Sequence, residues 1–379
     1  MKKILFATAA IMAAMTACNK EEVNVVETPA ASEAKVWVEF TAGVATKAAL
    51  VEGDETHSIV WEENDAISVN REIISTTESG AKVTFAGEVT EGFLAADNYS
   101  AVYPASAGKD FNEITVKAEQ TAVAEGFDDI VAVAYSADRS LQFKHVTSLI
   151  KFQVPSDFEV NTVTFSADQD LAGKVSVAMS AENDTPTITV KEGVKTVTLT
   201  GSFEADKDYY VAVLPGEKTN LTVRFNGYLS KNWTSTVNIK QGHVANVKVL
   251  PAPQPSTWRL VGKFNGVEKW EISTGSIAMY KELASDTYVA KGVVLKSADI
   301  WKFNNNDKWE EWVGSYDSGH SDSKVYTKMQ DHTSTSPYGT HHTWGDFKSN
   351  FGAAAGTYDI YLKVGTNKYG DASVWVEKK

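Results

Sequence analysis

Seven of the ten tryptophans, Trp258, Trp270, Trp301, Trp309, Trp312, Trp344 and Trp375, lie in the last third of a 379-residue chain. Flat aromatic rings set among Asn, Asp, Lys and Arg suit a sugar above other ligands, because a pyranose offers an apolar C–H face and a rim of hydroxyls. Stacking on part of an indole removes roughly 50–80 Å² from water, worth about 1–2 kcal/mol at ~25 cal/mol/Å². Millimolar affinity needs ~4 kcal/mol, so two or three platforms must act together. Strand alternation divides the rings. Through residues 300–304, Trp301 and Phe303 share one face and Ile300 and Lys302 the other, which makes Trp301 and Phe303 core. Trp258, at the start of this segment, and Trp375, in the last strand, are expected in the core as well. Trp270, Trp309, Trp312, Tyr338 and Trp344 remain as candidate glycan platforms in polar or turn-like surroundings, with Lys302 and Asn304 as polar contacts beside them.

Other chemistries fare worse. His320, His332, His341 and His342 have neither the spacing of a helical zinc motif nor that of a Cys/His finger. Asp317, Asp322 and Asp331 make an equally weak calcium set, so no metal and no cofactor is expected. A glycosidase needs two carboxyls ~5–5.5 Å or ~6.5–9.5 Å apart, one with a raised pKa. Asp307, Glu310 and Glu311 come nearest, but adjacent acids in a polar turn are ordinarily solvated charge. Gly216-Glu217-Lys218-Thr219 imitates part of a phosphate loop without its glycine spacing or following helix, and no G-x-S-x-G is present. The chain is not expected to be an enzyme. Its net charge of −13 excludes nucleic acid as a partner, since phosphate would be repelled and no basic stripe exists. Residues 258–379 carry equal numbers of basic and acidic side chains, so the acidic excess lies upstream and two chemically distinct regions are joined.

Cys18 is the single cysteine, which excludes an intrachain disulfide and a Cys-based zinc site. Lys2, Lys3 and the apolar residues 4–15 form an export signal over residues 1–17, too short to span ~30 Å of hydrocarbon. Residues 18–34 are acidic and small, a flexible tether that cannot bury enough surface to order itself. The period then becomes two: Val36, Val38 and Phe40 alternate with Lys35, Trp37, Glu39 and Thr41. The same alternation recurs in Val163/Phe165, Tyr209/Val211/Val213, Leu221/Val223/Phe225 and Val247/Val249, with turns at Pro215-Gly216 and Asn226-Gly227. No stretch holds a helical period, so an all-β chain of packed sandwiches is expected. Three prolines in residues 251–255 make a stiff linker. The divisions are a first sandwich over 35–140, a second over 141–250 and a Trp-rich third over 256–379.

Several segments resemble known families. Met15-Thr16-Ala17-Cys18 resembles a bacterial lipobox, and Asn19-Lys20-Glu21-Glu22 resembles the surface-export signal of Bacteroidales lipoproteins; together they imply lipidation at Cys18 and anchoring on the outer membrane at the cell surface. Phe40-Thr41-Ala42, Thr46-Lys47-Ala48, Trp61-Glu62-Glu63-Asn64-Asp65, Tyr103-Pro104, Phe143-Lys144-His145, Leu214-Pro215-Gly216 and Gly242-His243-Val244 resemble the fimbrillin family, which includes type V pilus subunits. That resemblance implies two transthyretin-like β-sandwiches; Trp61, Tyr99, Tyr103 and His145 are read, from their own chemistry, as core or sheet-surface residues. In true pilins it also implies removal of a first strand after a basic residue, with Lys47 at the place such a processing cut would fall.

The segment 256–379, with Trp258-Arg259-Leu260-Val261-Gly262-Lys263-Phe264, Ile300-Trp301-Lys302-Phe303-Asn304 and Gly356-Thr357-Tyr358-Asp359-Ile360-Tyr361-Leu362, resembles the carbohydrate-binding domains of starch-utilisation outer-membrane lipoproteins. The resemblance implies a carbohydrate-binding-type β-sandwich. The expected function is a lipid-anchored surface protein that captures polysaccharide or host glycan, partnered by other outer-membrane glycan-uptake lipoproteins or by pilins. The alternative is a type V pilus tip or accessory adhesin subunit that binds a protein or host surface.

Overall fold

The computed structural model describes residues 34–47, 50–52, 55–57, 60–127, 129–272, 274–282, 286–296, 299–305, 311–313, 334–336, 339–341, 347–348, 355–365 and 368–379. Among them the elements are strands and two short 3-10 turns, an all-β chain in three units. Among the described residues no helix is long and apolar enough to cross a membrane.

The first unit is organised by one long strand, Lys35–Lys47. Val38, Phe40 and Ala42 are at most 1% exposed while Trp37 stands 64% exposed on the opposite face, as the period of two requires. The strand pairs antiparallel with Val83–Thr90 and parallel with Ser140–His145. Ala132–Ser136, Tyr99–Tyr103, Ala66–Val69 and Glu72–Ser75 complete the circuit, so the two faces expected of a sandwich are joined into a closed barrel. Trp61 fills its centre, edge-on to Phe85, Tyr103 and Phe143 at 4.9, 5.0 and 5.4 Å. Tyr99 and His145 are buried as well.

The division placed at residue 140 lies too early. Leu141 and Phe143 belong to the first core, and it is after His145 that Ser148–Gln153 pairs with Tyr209–Val213 and Val244–Val249. The units also interlock. Ile114–Val116 and Glu119–Thr121 leave the barrel and pair with Ala172–Ala178 and Thr196–Thr200 of the second unit. The second core gathers Phe152, Phe165, Tyr209, Val223 and Phe225 between these sheets. One expected inward position is reversed: Val249 is 57% exposed and Leu250 is buried in its place. The cause is local, because Lys248 adopts φ 63° where the register slips between Lys151 and Gln153.

Residues 251–255 are extended but packed, with Pro253 buried and the Pro251 carbonyl accepting the Ser230 hydroxyl at 2.6 Å. The third unit is one sheet whose central path runs Glu311–Val313, Ile300–Asn305, Pro255–Phe264, Ile277–Lys281, Thr287–Leu295, Gly356–Gly365 and Lys368–Lys378. Trp258, Leu260, Trp301, Phe303, Ile360, Leu362 and Val374 share one core, so the sheet rolls over on itself.

Candidate ligand-binding surfaces

Asn265 and Gly266, both at positive φ (52° and 78°), fold Pro255–Phe264 back onto Val267–Lys269, and Trp270 follows at once. Its Nε1–H donates to the Glu268 carboxylate at 2.6 Å, and Lys302 Nζ lies 5.6 Å from the ring centroid. Two residues singled out from the sequence therefore meet, on the face of the third sheet opposite to Trp301 and Phe303. Both are half-buried, with the indole held at its edge by an acid and flanked by a cation.

Of the remaining expected contacts, one is placed differently. Asn304 is fully buried, opposite Arg259 on one neighbouring strand and Trp312 on the other, which removes it from any ligand-facing rim. Neighbouring Val261 is also buried, so the sheet is covered on both faces at this point and alternation alone misplaces Asn304. Trp312 sits in the Glu311–Val313 strand. Trp309, Tyr338, Trp344 and Cys18 lie outside the described residues, as do His320, His332, His342, Asp307, Glu310, Asp317, Asp322 and Asp331. Among the described residues no three His, Cys, Asp or Glu side chains cluster in a way that could hold a metal. Trp258, Trp301 and Phe303 are core.

Trp375 is not core. Val374 turns inward, so Trp375 turns outward and stacks on Tyr361, its directly opposite partner on the next strand, with 3° between ring planes and 4.8 Å between centroids. Glu377 fixes both rings, accepting the Trp375 Nε1–H at 3.4 Å and the Tyr361 hydroxyl at 3.1 Å. Burial, then the negative charges of Glu377 and Asp359, push the Tyr361 phenol well above its ordinary value.

The stacked pair faces a cleft of about 530 Å³ between the second and third units, walled on the far side by Thr164 and Arg224. Arg224 grips Glu282 through two hydrogen bonds of 3.2 and 2.7 Å. Gly227 takes φ 82° in the Asn226-Gly227 turn, a conformation that favours glycine, and packs against the Lys291 side chain. Tyr228 closes the joint, its hydroxyl accepting the Lys291 N–H at 2.9 Å and its ring lying 4.1 Å from Tyr280. Burial raises both of these phenols. The inward positions of Tyr358, Ile360, Leu362 and Val374 carry the sequence signal for this surface, since they force Tyr361 and Trp375 to the other face.

Lys47 ends the Lys35–Lys47 strand, paired with Phe143 after a register slip. Lys218, in the phosphate-loop imitation, sits in a strand with its ammonium donating to the carbonyls of Asp170 and Pro215 at 2.8 and 3.2 Å. Burial lowers its pKa.

No family model matches the chain, and no curated protein matches it. Among solved structures it is similar to a candidate cell adhesion protein from Bacteroides uniformis, at 16% identity and TM-score 0.35 over 56% of this chain and 93% of that one. A second candidate cell adhesion protein, from Bacteroides ovatus, shows 15% identity and TM-score 0.33 over 57% and 92%. A C-terminally truncated tip fimbrial protein from Porphyromonas gingivalis shows 9% identity and TM-score 0.25 over 54% and 82%.

Proposed function

We propose that this chain is a non-catalytic, lipid-anchored adhesion protein of the bacterial cell surface that captures glycan through its third unit. The observation that carries the reading is Trp270, a half-buried indole whose N–H is fixed by Glu268 and whose ring lies beneath the Lys302 ammonium. An indole with an acid at its N–H edge and an ammonium over its ring brings together an aromatic surface, a hydrogen-bond acceptor and a donor, the groups a sugar engages. The first two units act as a spacer, and residues 18–34 as the tether from a lipidated Cys18. Retardation of the full chain in gels containing α-glucan, β-glucan or host glycan, lost on Trp270→Ala, is the expected result. No retardation by any of them sinks the reading. Cys18→Ser releases the protein from the membrane fraction; a variant that still pellets with membranes sinks the anchor.

A second reading has its own observation. The Lys35–Lys47 strand is bonded on both sides, and its removal would leave a slot between Val83–Thr90 and Ser140–His145 that another chain's strand could fill. A pilus tip or accessory subunit would then be recognised by an N-terminus just past Lys47 on protein taken from cells, together with a ladder of co-purifying subunits. An intact first strand on a monomer excludes it.

A further inference from the structure

We propose that the cleft between the second and third units is a second saccharide site, selective for neutral sugars and dependent on both units. The proposal rests on the reading that the chain binds glycan, but on different residues. Tyr361 backs Trp375 in a near-coplanar stack, Lys291 lies 5.9 Å from the Tyr361 ring centroid, and the indole of Trp375 is left as the platform. Its volume of about 530 Å³ falls within the ~300–1,000 Å³ of ordinary small-molecule sites.

Charge decides the ligand class. Arg224 is matched by Glu282. Lys291 and Lys379 lie 3.5 and 2.8 Å from the buried Asp359 carboxylate. Glu377 accepts from both stacked rings. The two cations that line the cleft, Arg224 and Lys291, are thus both paired, so a sulfated or uronate sugar seated on the platform would have to break an existing pair to reach either of them. A hydroxyl breaks none: it can accept from Arg224 or Lys291, and donate to Glu282 or to the Thr164 oxygen. Because Thr164 and Arg224 come from the second unit and Trp375, Lys291 and Glu282 from the third, a sugar seated here touches both. Its binding holds the joint in one arrangement.

The test applies the full chain to an array of neutral glucan, mannan, galactan and xylan oligosaccharides beside heparin and polygalacturonate oligosaccharides, followed by titration of the best neutral binder. Two binding classes are expected in the wild type. Trp375→Ala removes one of them, weakening it about tenfold or more, the factor given by ~1.4 kcal/mol. Arg224→Gln, on the other unit, weakens the same class, and Trp270→Ala leaves it intact. Trp375→Phe, which keeps an aromatic ring in the stack, gives an intermediate loss and covers the case in which the alanine variant fails to fold. Neutral binding that Trp270→Ala abolishes while Trp375→Phe and Arg224→Gln leave it unchanged overturns the cleft and leaves the glycan reading standing. Binding through Trp375 that prefers the acidic oligosaccharides overturns the neutral selectivity. Binding to no member of the array overturns both readings.

Discussion

Arg224 of the second unit and Glu282 of the third face each other fork to fork, NH1 to Oε1 at 3.2 Å and NH2 to Oε2 at 2.7 Å. The two side chains are 24% and 20% exposed, and NH1 also donates to the Gly227 carbonyl at 3.2 Å, so the guanidinium is held before it meets its partner. Paired hydrogen bonds between ions in this geometry exceed an ordinary surface pair. A double-mutant cycle of Arg224→Ala and Glu282→Ala in thermal unfolding is expected to give a coupling of about 1 kcal/mol at low salt. It should shrink toward ~1 M salt, where the screening length is only ~3 Å. Zero coupling at low salt would show that the fork does not help hold the two units together.

Asp359 is the most demanding polar group of the third unit. It is fully buried, and its carboxylate accepts the Gly292 N–H at 3.0 Å and faces Lys291 and Lys379 at 3.5 and 2.8 Å. Alanine there leaves the Gly292 N–H without its acceptor and removes the partner of Lys291 and of the more exposed Lys379, a loss of roughly 1.5–3 kcal/mol. Asp359→Asn keeps the backbone acceptor and should cost less. Chemical denaturation of the two variants checks this order, and an alanine variant within about 1 kcal/mol of wild type contradicts it.

Local chemistry made part of this architecture readable from the sequence. The alternation of Val36, Val38 and Phe40 places the first strand's inner face correctly, and Asn226-Gly227 turns where its backbone preferences require, with φ 51° and 82°. Trp301 and Phe303 are core for the same reason of period. What escaped depends on one unforeseeable local backbone turn and on partners far along the chain. Val249 is reversed by one left-handed residue, Lys248, that no periodicity predicts. Asn304 shares an alternation class with Lys302, yet covering on both faces buries it. Trp375 becomes a cleft wall only because Lys368–Lys378 pairs in register with Gly356–Gly365 and because Arg224, from another unit, stands opposite.

The joint between the second and third units is also where alkaline pH should act. Tyr228, Tyr280 and Tyr361 all titrate above their ordinary value of 10.0, chiefly through burial. The folded protein keeps these protons at pH values where the unfolded chain has lost them. Their stabilising contribution is therefore complete below about pH 10 and is lost as pH rises through the folded values. Lys218 runs the other way: lowered from 10.5 by burial, it adds stability above that value and loses it as pH falls. Three phenols outweigh one amine, so stability should decline above pH 10. Tyr361→Phe should flatten that decline by up to one proton's worth, apart from a constant offset for the lost bond to Glu377. Denaturation midpoints between about pH 9 and 11 check this. Curves for variant and wild type that run parallel would mean Tyr361 keeps no proton on folding.

The first strand supplies a contrast between neighbouring aromatic rings. Phe40 is fully buried in the barrel, edge-on to Tyr99 at 4.9 Å and to Phe93 at 5.9 Å, while Trp37, three residues earlier, is 64% exposed, its indole N–H donating to Glu39 of the same strand at 3.3 Å. Phe40→Ala should cost about 3–5 kcal/mol through lost burial and the cavity it leaves. Trp37→Ala, the larger deletion, should stay within ~0.5 kcal/mol because it removes surface. Pairing on both sides also means that a cut after Lys47 does not by itself free the strand. Limited trypsin digestion should yield a nicked protein that elutes as one species under native conditions and separates in denaturant. Equal losses for the two alanine variants would show that the strand is not seated with Phe40 inward. Release of the 35–47 peptide without denaturant would show that its two hydrogen-bonded edges do not hold it.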